Sequence, residues 1–265
     1  NDYLQRNAIR DDLESYLHEM GSATSTNIQH WLSGRILLAE TLAESVALNP
    51  SAEAVGALLK QKTLLANFDF AYLGDVSGNY FLETVLTEPY IDAANGKTIL
   101  TIATPAMSSN GQPVGVVGGD LSLDTLVKTI NSLDFDGGGY AFLVSGAGKI
   151  LVHPDSQLVM KSLKDVYPQH TPRIGDDVTE VERDGRVSIV TFAKVEGLPS
   201  VDWYIGLSMD KAKAYAMLSQ FRSSAVIATI VAVVLIIALL GMLIRLLMQP
   251  LHTMGRAMHD IAEGG

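Results

Sequence analysis

The chain has 265 residues, 48% of them apolar, and 29 acidic against 19 basic side chains for a formal charge of -10. Such an apolar share excludes low-complexity disorder and fills one or two small cores besides a membrane span. The acidic excess disfavours a nucleic-acid partner, which calls for clustered Lys and Arg, and the absence of cysteine excludes disulfides, thiolate metal sites and a thiol nucleophile.

Asn1-Asp2-Tyr3 opens directly into a polar helical pattern with no signal peptide, and an ectodomain beginning mid-helix predicts an earlier transmembrane segment upstream. Leu4, Leu13, Leu17, Met20, Ile28, Trp31, Leu32, Leu38, Leu42 and Val46 recur at helical spacing. No proline interrupts them before Asn49-Pro50, so residues 1–49 read as one stalk helix, slackened near Gly21 and Gly34. A short second helix follows, capped by Ser51, with Ala54, Leu58 and Leu59 on its inner face.

The period then changes. Phe68–Leu73 and Tyr80–Val85 flank the turn Asp75-Val76-Ser77-Gly78-Asn79, and Thr98–Thr104 and Val114–Val117 complete a meander of antiparallel strands. Gly118-Gly119-Asp120 closes that sheet, and Leu121–Leu133 resumes helical spacing. The order repeats: Tyr140–Ser145 and Lys149–His153 flank Gly146-Ala147-Gly148, followed by Arg186–Ala193, Trp203–Ser208 and a helix from about Asp210. Two copies predict a duplicated small α+β module. From Gly78 to Asp120 is 42 residues, whereas from Gly148 to Asp210 is 62. Either about twenty residues are absent from the first copy, near Phe81-Leu82-Glu83, or the second has grown a loop such as Pro168–Asp177.

Ala225–Ile244 is a run of twenty residues without a charge. At about 1.5 Å per residue it spans the roughly 30 Å hydrocarbon core of a bilayer, and soluble-core helices seldom run so far without an amphipathic break. Lys211, Lys213 and Arg222 flank one end and Arg245 and Arg256 the other, so charge alone does not orient it. The whole acidic excess precedes this span. Beyond it, Leu251, Met254, Met258 and Ile261 follow Pro250 as a heptad seam that needs a partner helix.

Catalytic patterns are absent. Gly146-Ala147-Gly148-Lys149 resembles a phosphate loop, but Leu143 stands where its first glycine belongs, and the segment reads as a hairpin turn. His18, His30, His153, His170, His252 and His259 show no zinc spacing, and the pairs Asp11-Asp12 and Asp176-Asp177 fit solvent-facing surfaces. No nucleophile elbow occurs.

Tyr90, Asp92 and Asp120 form the better constellation. Two apart on a strand, Tyr90 and Asp92 share one face, and Asp120 ends a strand with apolar neighbours. Two carboxylates and an aromatic face would hold an ammonium through charge-assisted hydrogen bonds and a cation–π contact of about 0.5–2 kcal/mol. The plainer alternative makes Asp120 the cap of a helix near Leu121 and places Asp92 in the turn Asp92-Ala93-Ala94-Asn95-Gly96.

Leu86-Thr87-Glu88-Pro89-Tyr90-Ile91-Asp92, Gly115-Val116-Val117-Gly118-Gly119-Asp120-Leu121, Ala141-Phe142-Leu143-Val144-Ser145 and Trp203-Tyr204 carry a resemblance. Together with the stalk, the span and the tail, they resemble a bacterial methyl-accepting chemotaxis receptor with a double Cache (dCache) ectodomain. The likeness is greatest to amine-, polyamine- and histamine-sensing receptors of pseudomonads. It implies an α+β fold: a stalk helix, two tandem Cache (PAS-like) antiparallel-sheet modules, one transmembrane helix and the start of a HAMP helix. The implied boundaries are 50–133 for a membrane-distal ligand-binding module, 134–210 for a membrane-proximal one, 211–224 for a linker helix, 225–247 for the span and 248–265 for HAMP.

The resemblance also implies that Tyr90, Asp92 and Asp120 hold a ligand amino group, with Tyr72 a pocket aromatic. The implied ligand is a small cationic amine such as a polyamine or histamine, with an amino acid as the alternative. The implied assembly is a homodimer in the bacterial inner membrane, its ectodomain periplasmic, acting on a cytoplasmic adaptor and histidine kinase without cofactor or enzymatic activity of its own. The other class is the sensor half of a histidine kinase or cyclic-dinucleotide enzyme. The family's Arg-x-Trp-Tyr element, expected shortly before Tyr90, is missing here. Its place is the junction flagged by the length comparison, and both a deletion and a longer parent chain account for it.

Overall fold

The computed structural model describes residues 2–77, 82–132, 135, 137–175 and 177–263, and for 2–9, 221–223 and 246–263 the backbone alone. The expected turn at Gly78-Asn79, the strand start at Tyr80 and the junction at Phe81 lie outside the described residues. So do Asp176 and the side chains of the Leu251, Met254, Met258 and Ile261 seam. The chain divides into two compact units, Asn1–Ala214 and Tyr215–Gly265.

Helix α1 (Asp2–Leu48) is continuous over 47 residues. Leu13, Leu17, Gly21, Thr24, Ile28, Leu32, Ala39, Leu42 and Val46 are buried along one stripe at steps of three, four or their sum. An apolar stripe of that period needs a surface to cover it along its whole length. Two sheets supply it, since α1 packs on strands of both. Gly21 marks a close approach: a Cβ there would lie 3.2 Å from Ala193 Cβ. The glycine therefore serves the packing and does not loosen the helix.

Ser51 caps α2 (Ala52–Leu59), its Oγ accepting from Ala54 N–H at 3.4 Å, and Val55 is the buried residue. A third helix, α3 (Lys62–Asn67), was not legible in the pattern. The first sheet holds β1 (Phe70–Gly74), β2 (Val85–Leu86), β3 (Tyr90–Ile91), β4 (Thr98–Met107) and β5 (Pro113–Ser122). All pairs are antiparallel, in the order β1-β5-β4-β2, with β3 also on β4. Strand β2 is shorter than the expected Tyr80–Val85, because Thr84 leaves the ladder and donates to Glu40 Oε1 on α1 at 2.9 Å.

Strand β5 corrects the expectation that the sheet closes at Gly118-Gly119-Asp120: it runs to Ser122, paired with β4 throughout. Helix α4 (Leu123–Asn131) is capped by Ser122, whose Oγ accepts from Asp124 N–H at 3.2 Å. The glycines fit because aromatic rings lie on them. A Cβ at Gly118 would run into the Tyr72 ring, and one at Gly119 into Phe68 on the opposite face.

The second sheet holds β6 (Gly139–Ser145), β7 (Ile150–Val152), β8 (Thr179–Arg183), β9 (Arg186–Val195) and β10 (Trp203–Asp210), in the order β7-β6-β10-β9-β8. Its central register follows that of the first sheet. Tyr72 opposes Gly118 as Phe142 opposes Gly206, and Thr101 opposes Asp120 as Val190 opposes Ser208. Strand β8 was missed in the sequence because Thr179-Glu180-Val181-Glu182-Arg183 buries only Val181.

The two sheets differ in what covers this face. From β6 to β8 the chain spends 33 residues (146–178), which include β7, a 3-10 turn at Ser156–Leu158 and α5 (Leu163–Val166). Leu158, Leu163 and Tyr167 from this segment close a core with Phe142, Val144, Val190 and Phe192. From β1 to β2 it spends ten (75–84), a shortfall of 23. Phe70, Tyr72 and Tyr90 accordingly remain 58%, 42% and 40% exposed.

Helix α6 (Lys211–Glu263) starts in the first unit and makes up the second. Among the described residues one helical stretch, Lys211–Arg245, is long and apolar enough to cross a membrane. Its large apolar side chains from Val226 to Ile244 are uncovered, as a lipid-facing helix requires.

Candidate ligand-binding site

The exposed face of the first sheet gathers polar atoms around one carboxylate. Residues two apart on a strand share a face, so Phe70 and Tyr72 on β1, Asp120 on β5, Thr101 on β4 and Tyr90 on β3 project together through the registers Phe70↔Asp120, Thr101↔Asp120 and Tyr90↔Ile99. Thr101 Oγ1 donates to Asp120 Oδ1 at 2.7 Å, and Tyr72 OH donates to the same oxygen at 3.3 Å. Tyr90 OH lies 2.6 Å from Thr101 Oγ1. Thr101 has a single hydroxyl proton, committed to Asp120, so Tyr90 is the donor in this pair.

The chain Tyr90–Thr101–Asp120–Tyr72 aims one oxygen of Asp120 inward and leaves Oδ2 without a hydrogen bond among the described residues. Asp120 is only 8% exposed. Burial raises its carboxyl above the ordinary 3.8, the hydrogen bonds from Thr101 and Tyr72 oppose that, and the charges of Asp92 and Asp69 add to it. Tyr72 is pushed up to about 12 by burial, then by the charge of Asp120. No Lys or Arg figures among the charges that shift Asp120 or Tyr72. A cation arriving here would relieve a real electrostatic cost.

The expected site residues divide. Tyr72, Tyr90 and Asp120 converge, and Asp120 is no helix cap, since Ser122 takes that role. Asp92 stays with its turn: Oδ1 accepts from Ala94 N–H at 2.9 Å, and its backbone N–H donates to Lys97 O at 2.8 Å. It follows β3 and does not lie on it, which is why spacing from Tyr90 misplaced it. It reaches Asp120 through its field alone. Thr101, the link between the two halves of the network, was missed, although a Thr inside the apolar run of β4 is a readable signal. Asp69 was missed as well. Its Oδ2 accepts from Ser122 N–H at 2.5 Å, which places a third carboxylate by the site. Among the described residues no group of three His, Cys, Asp or Glu side chains is arranged to hold a metal ion.

A family model described as a Cache domain (dCache_1) matches residues 5–218. The chain belongs to the dCache family. It is 55% identical over 289 residues to the methyl-accepting chemotaxis protein PctB of Pseudomonas aeruginosa, an alignment covering 100% of this chain and 46% of that protein. It thus spans about half the length of the curated relatives it matches. The ligand-binding domain of the Pseudomonas fluorescens chemoreceptor CtaA, solved with L-isoleucine, superposes with a TM-score of 0.74 at 54% identity, covering 80% of this chain and 98% of that one. The ligand-binding domain of PctB with L-Arg gives 0.73 at 53% identity, with 78% and 98% covered.

These dCache relatives are signalling proteins, and their solved ligands are amino acids; the expected polyamine or histamine specificity finds no support among them. The 289 aligned positions exceed the 265 residues of this chain by 24, close to the 23 residues by which the β1–β2 connection falls short of its counterpart.

Proposed function

We propose that this chain is the sensing part of a transmembrane chemotaxis receptor whose first sheet binds the ammonium group of an amino acid. The observation that carries this reading is Asp120: nearly buried, walled by Tyr72 and Tyr90, within the field of Asp92 and Asp69, and with one oxygen free of partners and no Lys or Arg paired to it among the described residues. An ammonium brings three donors and a positive charge to that oxygen, and the tyrosine faces add a cation–π contact. The amino acids held by CtaA and PctB support the ligand class.

On this reading residues 50–133 and 134–210 are tandem Cache modules, 211–224 link them to a span at 225–247, and 248–265 begin a HAMP domain. The ectodomain is periplasmic, the anchor lies in the inner membrane, and a homodimer passes a shift along α6 to an adaptor and kinase. Ligand can drive that shift only by binding one signalling state better than the other. Tyr90, Asp120 and Tyr72 contact the amino group, and Asp92 contributes charge.

A second reading, a cationic amine without a carboxylate, is favoured by one observation: among the described residues the side chains that converge here are Tyr72, Tyr90, Thr101 and Asp120, none of them a cation to meet a carboxylate. Titration calorimetry with a panel of L-amino acids, their N-acetyl derivatives and their decarboxylated amines separates the two. Amino acids should bind, and N-acetylation should abolish binding. Amines binding more tightly than their parent amino acids would select the second reading, and binding that survives N-acetylation would exclude both.

A further inference from the structure

The second sheet has a cavity of about 530 Å³ that reaches the register positions matching Phe70 and Asp120 of the first. Tyr140 stands opposite Ser208 as Phe70 stands opposite Asp120. Both Tyr140 and Ser208 line the cavity. Its size lies in the range of small-ligand pockets.

The chemistry is inverted. Where the first sheet has Asp120, this one has Ser208, and where the first has Thr101, this one has Val190. Arg183, Arg186 and Lys213 line the cavity instead. Of the two lining carboxylates, Asp210 is taken by the N–H of Lys213 at 3.0 Å, and Asp184 sits 3.4 Å from Arg183 on a mostly exposed turn. Asp155 also approaches Arg183, at 3.8 Å. Arg186 has no carboxylate within ion-pair range among the described residues, and Lys213 Nζ donates only to Gly137 O, at 3.0 Å.

A second observation is independent of these charges. Ser208 is 2% exposed, and its hydroxyl has no hydrogen-bond partner among the described residues, although it lines the cavity. Its oxygen opens into the cavity, where a ligand can pair with it. Tyr140 and Tyr167 both line the cavity wall and present an amphipathic surface.

The geometry points to a second ligand site in the second sheet, which takes a small organic carboxylate. Arg186 offers the planar fork that matches a carboxylate, Lys213 a second positive charge, and Ser208 a hydroxyl donor at the floor. The ligand body lies against Tyr140 and Tyr167. The site shares the Asp120 position with the ammonium site, through Ser208, but is lined by basic side chains, so the two sheets would read different solutes through one helix scaffold. This assignment does not depend on the ligand of the first sheet.

The test is calorimetry of the full chain in lipid nanodiscs with succinate and with benzoate, and with inorganic phosphate as a comparison. Succinate or benzoate should bind saturably. Arg186→Gln, at the exposed first residue of β9, should weaken that binding about tenfold or more. Ser208→Val, which fills the floor and removes the donor, should abolish it, with circular dichroism unchanged. Asp120→Ala should leave it as it was, so failure here and failure of the ammonium site are read apart. No saturable binding of either carboxylate to folded protein, binding of phosphate alone, or carboxylate affinity unchanged in both Arg186→Gln and Ser208→Val would each overturn the assignment.

Discussion

Two glycines at matching positions should respond differently to the same substitution. A Cβ at Gly118 would strike the ring and hydroxyl of Tyr72, and a Cβ at Gly206 would strike the ring of Phe142. Tyr72 is 42% exposed and can swing outward, whereas Phe142 is 1% exposed and held between Tyr140, His153 and Phe192 at centroid distances of 6.1, 5.6 and 5.9 Å. Overpacking a closed core costs about 1–3 kcal/mol. Replacing glycine returns about 0.4–1 kcal/mol by restricting the unfolded chain. Gly206→Ala should therefore lose on the order of 1–2 kcal/mol, and Gly118→Ala should be close to neutral. For a unit of this size that separates the midpoints by roughly 2–8 °C. Thermal and urea unfolding followed by circular dichroism measure it. Equal loss in both variants, or a stable Gly206→Ala, would refute the reasoning. Gly118→Ala should still weaken ligand binding, because the displaced Tyr72 loses its bond to Asp120.

Three further outcomes follow from single groups. Burial drives the His153 imidazole down to about 4, helped by Arg183, while the charge of Asp155 opposes the shift. The unfolded chain then binds more protons between about pH 6.5 and 4, so stability present above that window is lost as pH falls through it. His153→Asn, whose amide oxygen can replace Nδ1 as acceptor for Asp155 N–H, should flatten that acid limb in pH-dependent unfolding. Ser200 stands at a φ of +62° with its hydroxyl accepting from Leu86 N–H at 3.0 Å and donating to Leu86 O at 2.8 Å, which ties the β9–β10 connection to strand β2 of the first sheet. Ser200→Ala should cost about 1–3 kcal/mol in urea unfolding, since both groups on buried Leu86 lose their partner. Because the folded pKa of Asp120 is raised, the ligand-free protein gains stability from this group as it protonates on acidification, whereas ammonium binding needs it ionised. Affinity should fall on acidification at a pH above the 3.8 of an ordinary Asp.

The sequence was most legible where one period ran undisturbed. The α1 stripe from Leu13 to Val46 and the charge-free Ala225–Ile244 have no competing pattern, and both are helical as expected. Strand β8 and helix α5 were missed because they are short and bury one residue each, Val181 and Leu163. Glycines misled twice. Gly118-Gly119 read as the end of a sheet, yet they are the places where Tyr72 and Phe68 lie flat on a continuing strand. At the site, Asp120 and Tyr90 were readable from alternation, but Asp92 was not. Its Asn-Gly turn competes for the carboxylate, and the local hydrogen bond to Ala94 wins. Thr101 stands out as a Thr in the apolar run of β4, but its partner Asp120 is set by the register of β4 against β5, which no local pattern contains.

The most direct measurement is titration calorimetry of the amino acid that binds best, comparing wild type with Asp120→Ala. A charge-assisted hydrogen bond to a nearly buried carboxylate contributes about 1.5–3 kcal/mol, so affinity should drop by roughly tenfold to a hundredfold or more. The unfolding midpoint should be unchanged or higher, because the substitution removes a desolvated charge. An affinity within about twofold of wild type, far below that loss, would contradict the assignment of Asp120 as the ammonium partner.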